Sequence, residues 1–100
     1  MEKLKAHYSL QEIQVIVSRD GGRVFTFTAQ RGAANMGLSR AEAIGVILAL
    51  TGTMLYKSMT TNTDNKVWQD VYHSPCPNGK VAYIKLTVQD SAVVIQFKEK

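Results

Sequence analysis

The sequence predicts an α+β fold in which helices pack on one face of an antiparallel sheet. Three observations carry this. Helix patterns with side-chain caps occupy residues 10 to 52, strict apolar–polar alternation runs from Val81 to Lys98, and two shorter β-like runs lie between them. Helices followed by a block of strands form segregated layers, whereas strands alternating with helices would form a parallel sheet.

Residues 1 to 8 form a short polar lead. Ser9-Leu10-Gln11-Glu12 has the form of a capping box, and Tyr8 and Ile13 stand at the spacing of a hydrophobic staple, so a helix is predicted from Leu10. Leu10, Ile13, Ile16 and Val17 make its buried stripe. Gly21-Gly22 supplies the permissive backbone that ends it, with Arg19 and Asp20 solvated near the C-terminus. Arg23 to Thr28 has the β-branched and aromatic content of a short strand, while Thr26 and Thr28 are both competent helix N-caps, so both readings stand. Ala29 to Met36 is an Ala-rich, weaker helix with Gly37 at its C-cap. Ser39 and Glu42 repeat the capping box, and Ala43, Ile44, Ile47, Leu48 and Leu50 carry an apolar stripe to Thr51-Gly52. This most apolar helix is expected against the sheet, with Gly45 marking a close approach to a neighbour.

Tyr56 to His73 gathers the one Trp, two of the four Tyr, Lys57 and Gln69. Within it the runs YKSMT and KVWQDVYH flank a polar turn, TNTDN. Ser74 to Gly79 is turn-rich and cannot continue a central strand. Beyond it Ala82, Ile84, Leu86 and Val88 face one way, while Val81, Tyr83, Lys85, Thr87 and Gln89 face the other. Val93, Ile95 and Phe97 repeat the core set opposite Val94, Gln96 and Lys98. A two-residue turn at Asp90-Ser91 pairs Lys85 with Gln96 and Tyr83 with Lys98, so these four side chains share one open face. In KVWQDVYH, parity places Gln69 on that face with Val67 and Val71 and sends Trp68, Asp70 and Tyr72 inward. Asp70 then needs a buried partner. The terminal strand, Ala92 to Lys98, is the candidate sheet edge, its lysines discouraging stray pairing.

One hundred residues suit a single domain, residues 1–100, with one core. Twelve Lys and Arg against eight Asp and Glu give a charge of +4, shared evenly between the two halves, which favours an anionic partner without a basic tail. The single Cys76 excludes an internal disulfide, and with only His7 and His73 beside it a zinc site lacks ligands. The chain shows no secretory apolar segment or membrane-spanning run, so a cytoplasmic location away from the membrane is expected. A phosphate-cradling Gly loop, a paired-carboxylate site and a Ser-His-Asp motif are all missing, which removes NTPases, carboxylate hydrolases and serine proteases.

What remains is a face of Lys, Tyr and Gln suited to stacking bases and holding phosphates. RNA carries its own nucleophile in the 2′-hydroxyl, so such a face needs only to orient it, move protons and stabilise charge. Lysine supplies the charge, Tyr or a Lys of lowered pKa moves the proton, Gln orients a phosphate oxygen, and His73 is an acid–base candidate if it reaches the face.

The motifs YKSMTT (from Tyr56), WQDVY (from Trp68) and the terminal FKEK, together with the lead Met1-Glu2-Lys3 and His7, resemble the motility quorum-sensing regulator toxin family over nearly the full length. The likeness is strongest from Leu55 onward and thin between residues 19 and 52. It implies a RelE-like α+β fold, the toxin of a type II toxin–antitoxin pair, and a ribosome-independent mRNA interferase selective for GCU-like triplets and neutralised by a cognate MqsA-like antitoxin. By motif it carries a catalytic role to Lys57, Gln69, Tyr83 and Lys98, with Tyr56 and Met59 flanking the site as RNA contacts; His73 and Lys85, from this sequence's own open face, are expected to add two more. It implies no metal or cofactor, products with a 2′,3′-cyclic phosphate and a 5′-hydroxyl, and contact with DNA only through the antitoxin complex. Two departures stand out: His73 replaces the Arg that follows WQDVY in the family pattern, and one extra residue falls around Ala82. Alternation through Leu86 and Val88 keeps Tyr83 on the open face. A non-catalytic RNA- or protein-binding module using the same face, and a purely structural docking surface for the antitoxin, are the other readings.

Overall fold

Ser9 starts the first helix as its sequence requires: its Oγ accepts the Glu12 N–H at 3.3 Å, opening α1 (Leu10–Asp20). The computed structural model describes residues 1–61, 66–90 and 92–100; most of the predicted TNTDN turn, and Ser91 of the predicted hairpin turn, lie outside the described residues. Helix α1 ends on Gly21 at a φ of 61°, and a single 3-10 turn, Gly21–Val24, follows. Of the two readings open for Arg23 to Thr28, the helical one holds. Phe25 makes only an isolated bridge to Ile95, and Thr26 Oγ1 accepts the Ala29 N–H at 3.0 Å to start α2 (Phe27–Asn35). Helix α3 (Arg40–Leu48) opens on a complete capping box between Ser39 and Glu42.

Five antiparallel strands follow one another in space as in sequence: β1 (Glu2–Lys3), β2 (Leu55–Thr60), β3 (Trp68–Pro75), β4 (Val81–Gln89) and β5 (Ala92–Glu99). The two-residue β1 lies inside the segment read as a polar lead, since nothing in Glu2-Lys3 signals a strand until β2 is there to pair with it. The β4–β5 register is the expected one, with Lys85 opposite Gln96 and Tyr83 opposite Lys98. The inner face carries Ala82, Ile84, Leu86, Val93, Ile95 and Phe97, all buried, and they join Ile13, Val17, Ala29, Ala33, Met36, Val46 and Ile47 in one core.

The helix layer differs from expectation. Helix α2, not α3, lies closely on β5, while α3 packs against α1 and α2. The reason is Gly32: a Cβ there would fall 2.0 Å from the Phe97 carbonyl oxygen, so only glycine lets α2 settle on the strand. Gly45, predicted to mark a close approach, has no atom within 4 Å of where its Cβ would stand. Within α3 Val46 is buried and Leu48 is exposed, the reverse of the predicted stripe. Gln14 of α1 joins the two helices, its Nε2 donating to the Ile47, Leu48 and Leu50 carbonyls at and just beyond the end of α3.

The buried carboxylate predicted at Asp70 has its partners. Its oxygens accept from Ser58 Oγ at 2.7 Å and from the backbone N–H groups of His7 and Tyr8 at 2.9 to 3.0 Å. Asp70→Ala strands one hydroxyl and two N–H groups, and should lower unfolding free energy by about 3 kcal/mol or more in urea titration. The two glycines separate propensity from packing. Gly45→Ala should stabilise by about 0.5–1 kcal/mol, because open space lets the helix preference act, whereas Gly32→Ala should destabilise because the strand backbone cannot yield. Equal shifts in thermal unfolding for the two variants would contradict the packing of α2 on β5.

Candidate active site

Asp70 turned inward fixes the parity of β3, so Gln69, Val71 and His73 point outward. Strand β2 reaches this face differently. Leu55 pairs with Tyr72 and Lys57 with Val71, so Tyr56 is the extra residue of a β-bulge. Simple alternation would send Tyr56 inward with Ser58. The bulge instead brings Tyr56 and Lys57 to the same side: the Tyr56 ring stacks on His73 at 4.5 Å between centroids and 20° between planes, with Lys57 Nζ 5.4 Å from the Tyr56 centroid.

The registers give the outer face two cross-strand rows. Lys57, Val71, Lys85 and Gln96 form one, and His73, Tyr83 and Lys98, with Tyr56 stacked at the end, form the other. Val71, although outward, is fully buried beneath its neighbours. His73 lies between Tyr56 and Tyr83, 5.4 Å from the latter. Tyr83 is flanked by two cations, Lys98 Nζ at 5.2 Å and Lys85 Nζ at 5.9 Å from its ring centroid. A pocket of about 170 Å³ opens beside it, lined by Thr28, Tyr83, Lys85, Gln96, Phe97 and Lys98. Ala82 is fully buried and Tyr83 stands outward, so β4 keeps its expected parity here.

Of the sequence-predicted residues, the fold thus gathers Lys57, Tyr83, Lys98, Tyr56, His73 and Lys85. Gln69 and Met59 are opposite each other on the same face but beyond the first row. Gln69 stands four residues along β3 from His73, roughly 13 Å at the usual rise of a strand. It therefore lies apart from the pocket beside Tyr83. Glu2, read only as part of the lead, belongs here: its Oε2 accepts from Lys57 Nζ at 2.8 Å. The signal for it was the pairing partner of β1, which no local pattern supplies.

The charges are not equivalent. The hydrogen bond that Lys57 donates to Glu2 holds the Lys57 ammonium above the ordinary lysine range, and the same contact lowers the Glu2 carboxyl. Lys85 moves the other way: burial disfavours its charge first, and the nearby Lys98 and Lys57 ammonium groups add repulsion. Burial, with a smaller push from Lys100, lowers His73, and its Nε2 is enclosed with no hydrogen-bond partner among the described residues. At neutral pH His73 is therefore an uncharged ring within an aromatic stack, and the positive charge of this face comes from the lysines. Burial likewise raises the Cys76 thiol, which leaves it protonated and unreactive. Among the described residues no cluster of three His, Cys, Asp or Glu side chains could hold a metal ion, and no helix is long and apolar enough to cross a membrane.

Fold and face together define a small α+β protein with a cationic, aromatic sheet surface. The family model described as motility quorum-sensing regulator, toxin of MqsA, matches residues 5–99. The mRNA interferase toxin MqsR of Escherichia coli (strain K12) is 37% identical over 100 residues, spanning the whole of both chains. This chain belongs to the motility quorum-sensing regulator toxin family.

His73 offers a direct check on this geometry. Because its folded form is neutral, its titration in histidine NMR should have a midpoint below 6.5, and acid should erode stability as pH falls below that value. A midpoint at or above 6.5 would mean that the imidazole is not enclosed between Tyr56 and Tyr83.

Proposed function

We propose that residues 1–100 act as one toxin domain of a type II toxin–antitoxin pair, an endoribonuclease that cleaves mRNA and so arrests translation and growth. The observation that carries this reading is the convergence of Lys57, Lys85 and Lys98 around Tyr83 on an exposed sheet face. The name of the E. coli relative, an mRNA interferase, supports the same substrate. The layering of helices on one face of an antiparallel sheet is compatible with a RelE-like architecture.

In this mechanism the 2′-oxygen attacks the adjacent phosphorus, the bond from phosphorus to the 5′-oxygen breaks, and a 2′,3′-cyclic phosphate and a 5′-hydroxyl result. One proton leaves the 2′-hydroxyl and one reaches the departing oxygen, and in this proposal side chains of the face, not a metal ion, carry out both transfers. Lys57, kept protonated by Glu2, and Lys98 are the fixed charges that meet the pentavalent phosphate. Tyr83 moves a proton. Lys85, which holds its proton less firmly than a free lysine and lies 5.9 Å from the Tyr83 ring centroid, contacts RNA. Tyr56 presents a half-exposed ring to a base, stacked on His73, and Met59 flanks it across the face. Gln69 orients the neighbouring part of the substrate. GCU-like triplets, action free of the ribosome, a cytoplasmic site, neutralisation by an MqsA-like antitoxin and DNA contact only through that complex complete the proposal.

A defined RNA containing GCU, incubated with purified protein and chelator, should yield cyclic-phosphate ends. Tyr83→Phe and Lys57→Ala should each lower kcat about 100-fold or more while RNA affinity changes far less. Intact RNA at stoichiometric protein would overturn the enzyme, and loss of affinity in step with loss of cleavage would favour a binding module instead.

A further inference from the structure

Phe27, the first residue of α2, is an aromatic side chain held out in solvent at 73% exposure. Four residues on, and so on the same helix face, the Arg31 guanidinium carbon lies 5.9 Å from its ring centroid. Phe27, Thr28, Arg31, Gly32, Asn35 and Lys98 together line a groove. None of the six is acidic, and two of them are cations. Thr28 and Lys98 also line the pocket beside Tyr83 and Lys85, so the groove and the proposed active site share a wall. That continuity is built into the fold, because the missing side chain at Gly32 sets α2 directly on β5 at Phe97.

We propose that this groove is a subsite for single-stranded RNA flanking the cleaved step, in which one base stacks on Phe27 and the adjoining phosphate is held by Arg31 and Lys98. The inference rests on the endoribonuclease reading and extends it around the β5 edge onto the helix layer. The chemistry favours a nucleotide over a protein segment. An exposed aromatic ring paired with a guanidinium is the combination that binds unstacked bases without regard to sequence, and the groove's charge matches a phosphate chain that already passes Lys98. Neither side chain supports the core, so both can be changed without unfolding the protein.

The experiment compares a short RNA ending at the cleavage triplet with one extended by several nucleotides on each side in turn. Wild type should prefer one extended substrate. Phe27→Ala and Arg31→Ala should each raise KM for that substrate about 5- to 10-fold, leave kcat unchanged, leave the short substrate unaffected, and be rescued at position 27 by Phe27→Trp. Equal loss on short and extended RNA, or no loss on either, overturns the subsite. Unchanged cleavage with weakened binding of the cognate antitoxin also overturns it and makes the groove a protein-docking surface. If wild type cleaves neither RNA, the endoribonuclease reading fails separately. The groove is then judged by anisotropy with the same extended RNA, where the two alanine variants should still bind about 5- to 10-fold more weakly than wild type.

Discussion

The fold of the site depends on one buried carboxylate. Asp70 is fully enclosed, and its three donors are neutral: the Ser58 hydroxyl of β2 and two backbone N–H groups from the N-terminal segment. A carboxylate out of water is costly unless its lone pairs are met, so those donors are held where it needs them. One bond joins β3 to β2, and the others fold residues 7 and 8 back over the sheet edge. There the His7 ring stacks on Trp68 at 5.1 Å and the Tyr8 hydroxyl donates to the Trp68 carbonyl at 2.7 Å. With the lead tied down, β1 can pair with β2, and Glu2 meets Lys57 on the opposite face. Because successive residues of a strand point to opposite sides, the same inward Asp70 that closes the edge turns Gln69, Val71 and His73 outward.

Much of this was legible where a pattern is local. The caps at Ser9 and Ser39 and the alternation of β4 and β5 each reflect contacts between residues a few positions apart, and those elements stand where the sequence puts them. What escaped the sequence is set by partners far along the chain. Glu2-Lys3 becomes a strand only because β2 offers it an edge, and YKSMT alternates cleanly on paper although a bulge turns Tyr56 over. The helix layer shows the same limit. Apolar content marked α3 for the sheet, but that content serves contacts among helices, whereas the closest approach to a strand requires the least side chain. Ala29, Gly32 and Ala33 of α2 supply it. Gly45 and Gly32 read alike in sequence; the backbone of Phe97 distinguishes them.

The site itself was legible as a set of residue types and not as a charge distribution. Lys57, Lys85 and Lys98 would ordinarily repel one another on a single small face. The repulsion is limited by Glu2 on one side and by the electron-rich faces of Tyr56 and Tyr83 between the ammonium groups. Its remainder falls on Lys85, the most enclosed of the three and the one facing both others, which is why its proton is the least firmly held. A lysine at the middle of a cationic row is thereby made different from its neighbours by position alone.

That difference bears on the place of His73 in the stack. An arginine there would keep a planar group between Tyr56 and Tyr83, but it would also add a permanent charge to the cross-strand row that already holds Lys98. The neutral imidazole keeps the stacked geometry, at 4.5 Å to one ring and 5.4 Å to the other, without that added charge. Burial lowers both His73 and Lys85, and a different ammonium adds to each, Lys100 for the imidazole and Lys98 with Lys57 for the lysine. A further cation at position 73 would place one more positive charge beside Tyr83 and Lys98. A neutral ring at position 73 is therefore part of the electrostatic balance around Tyr83.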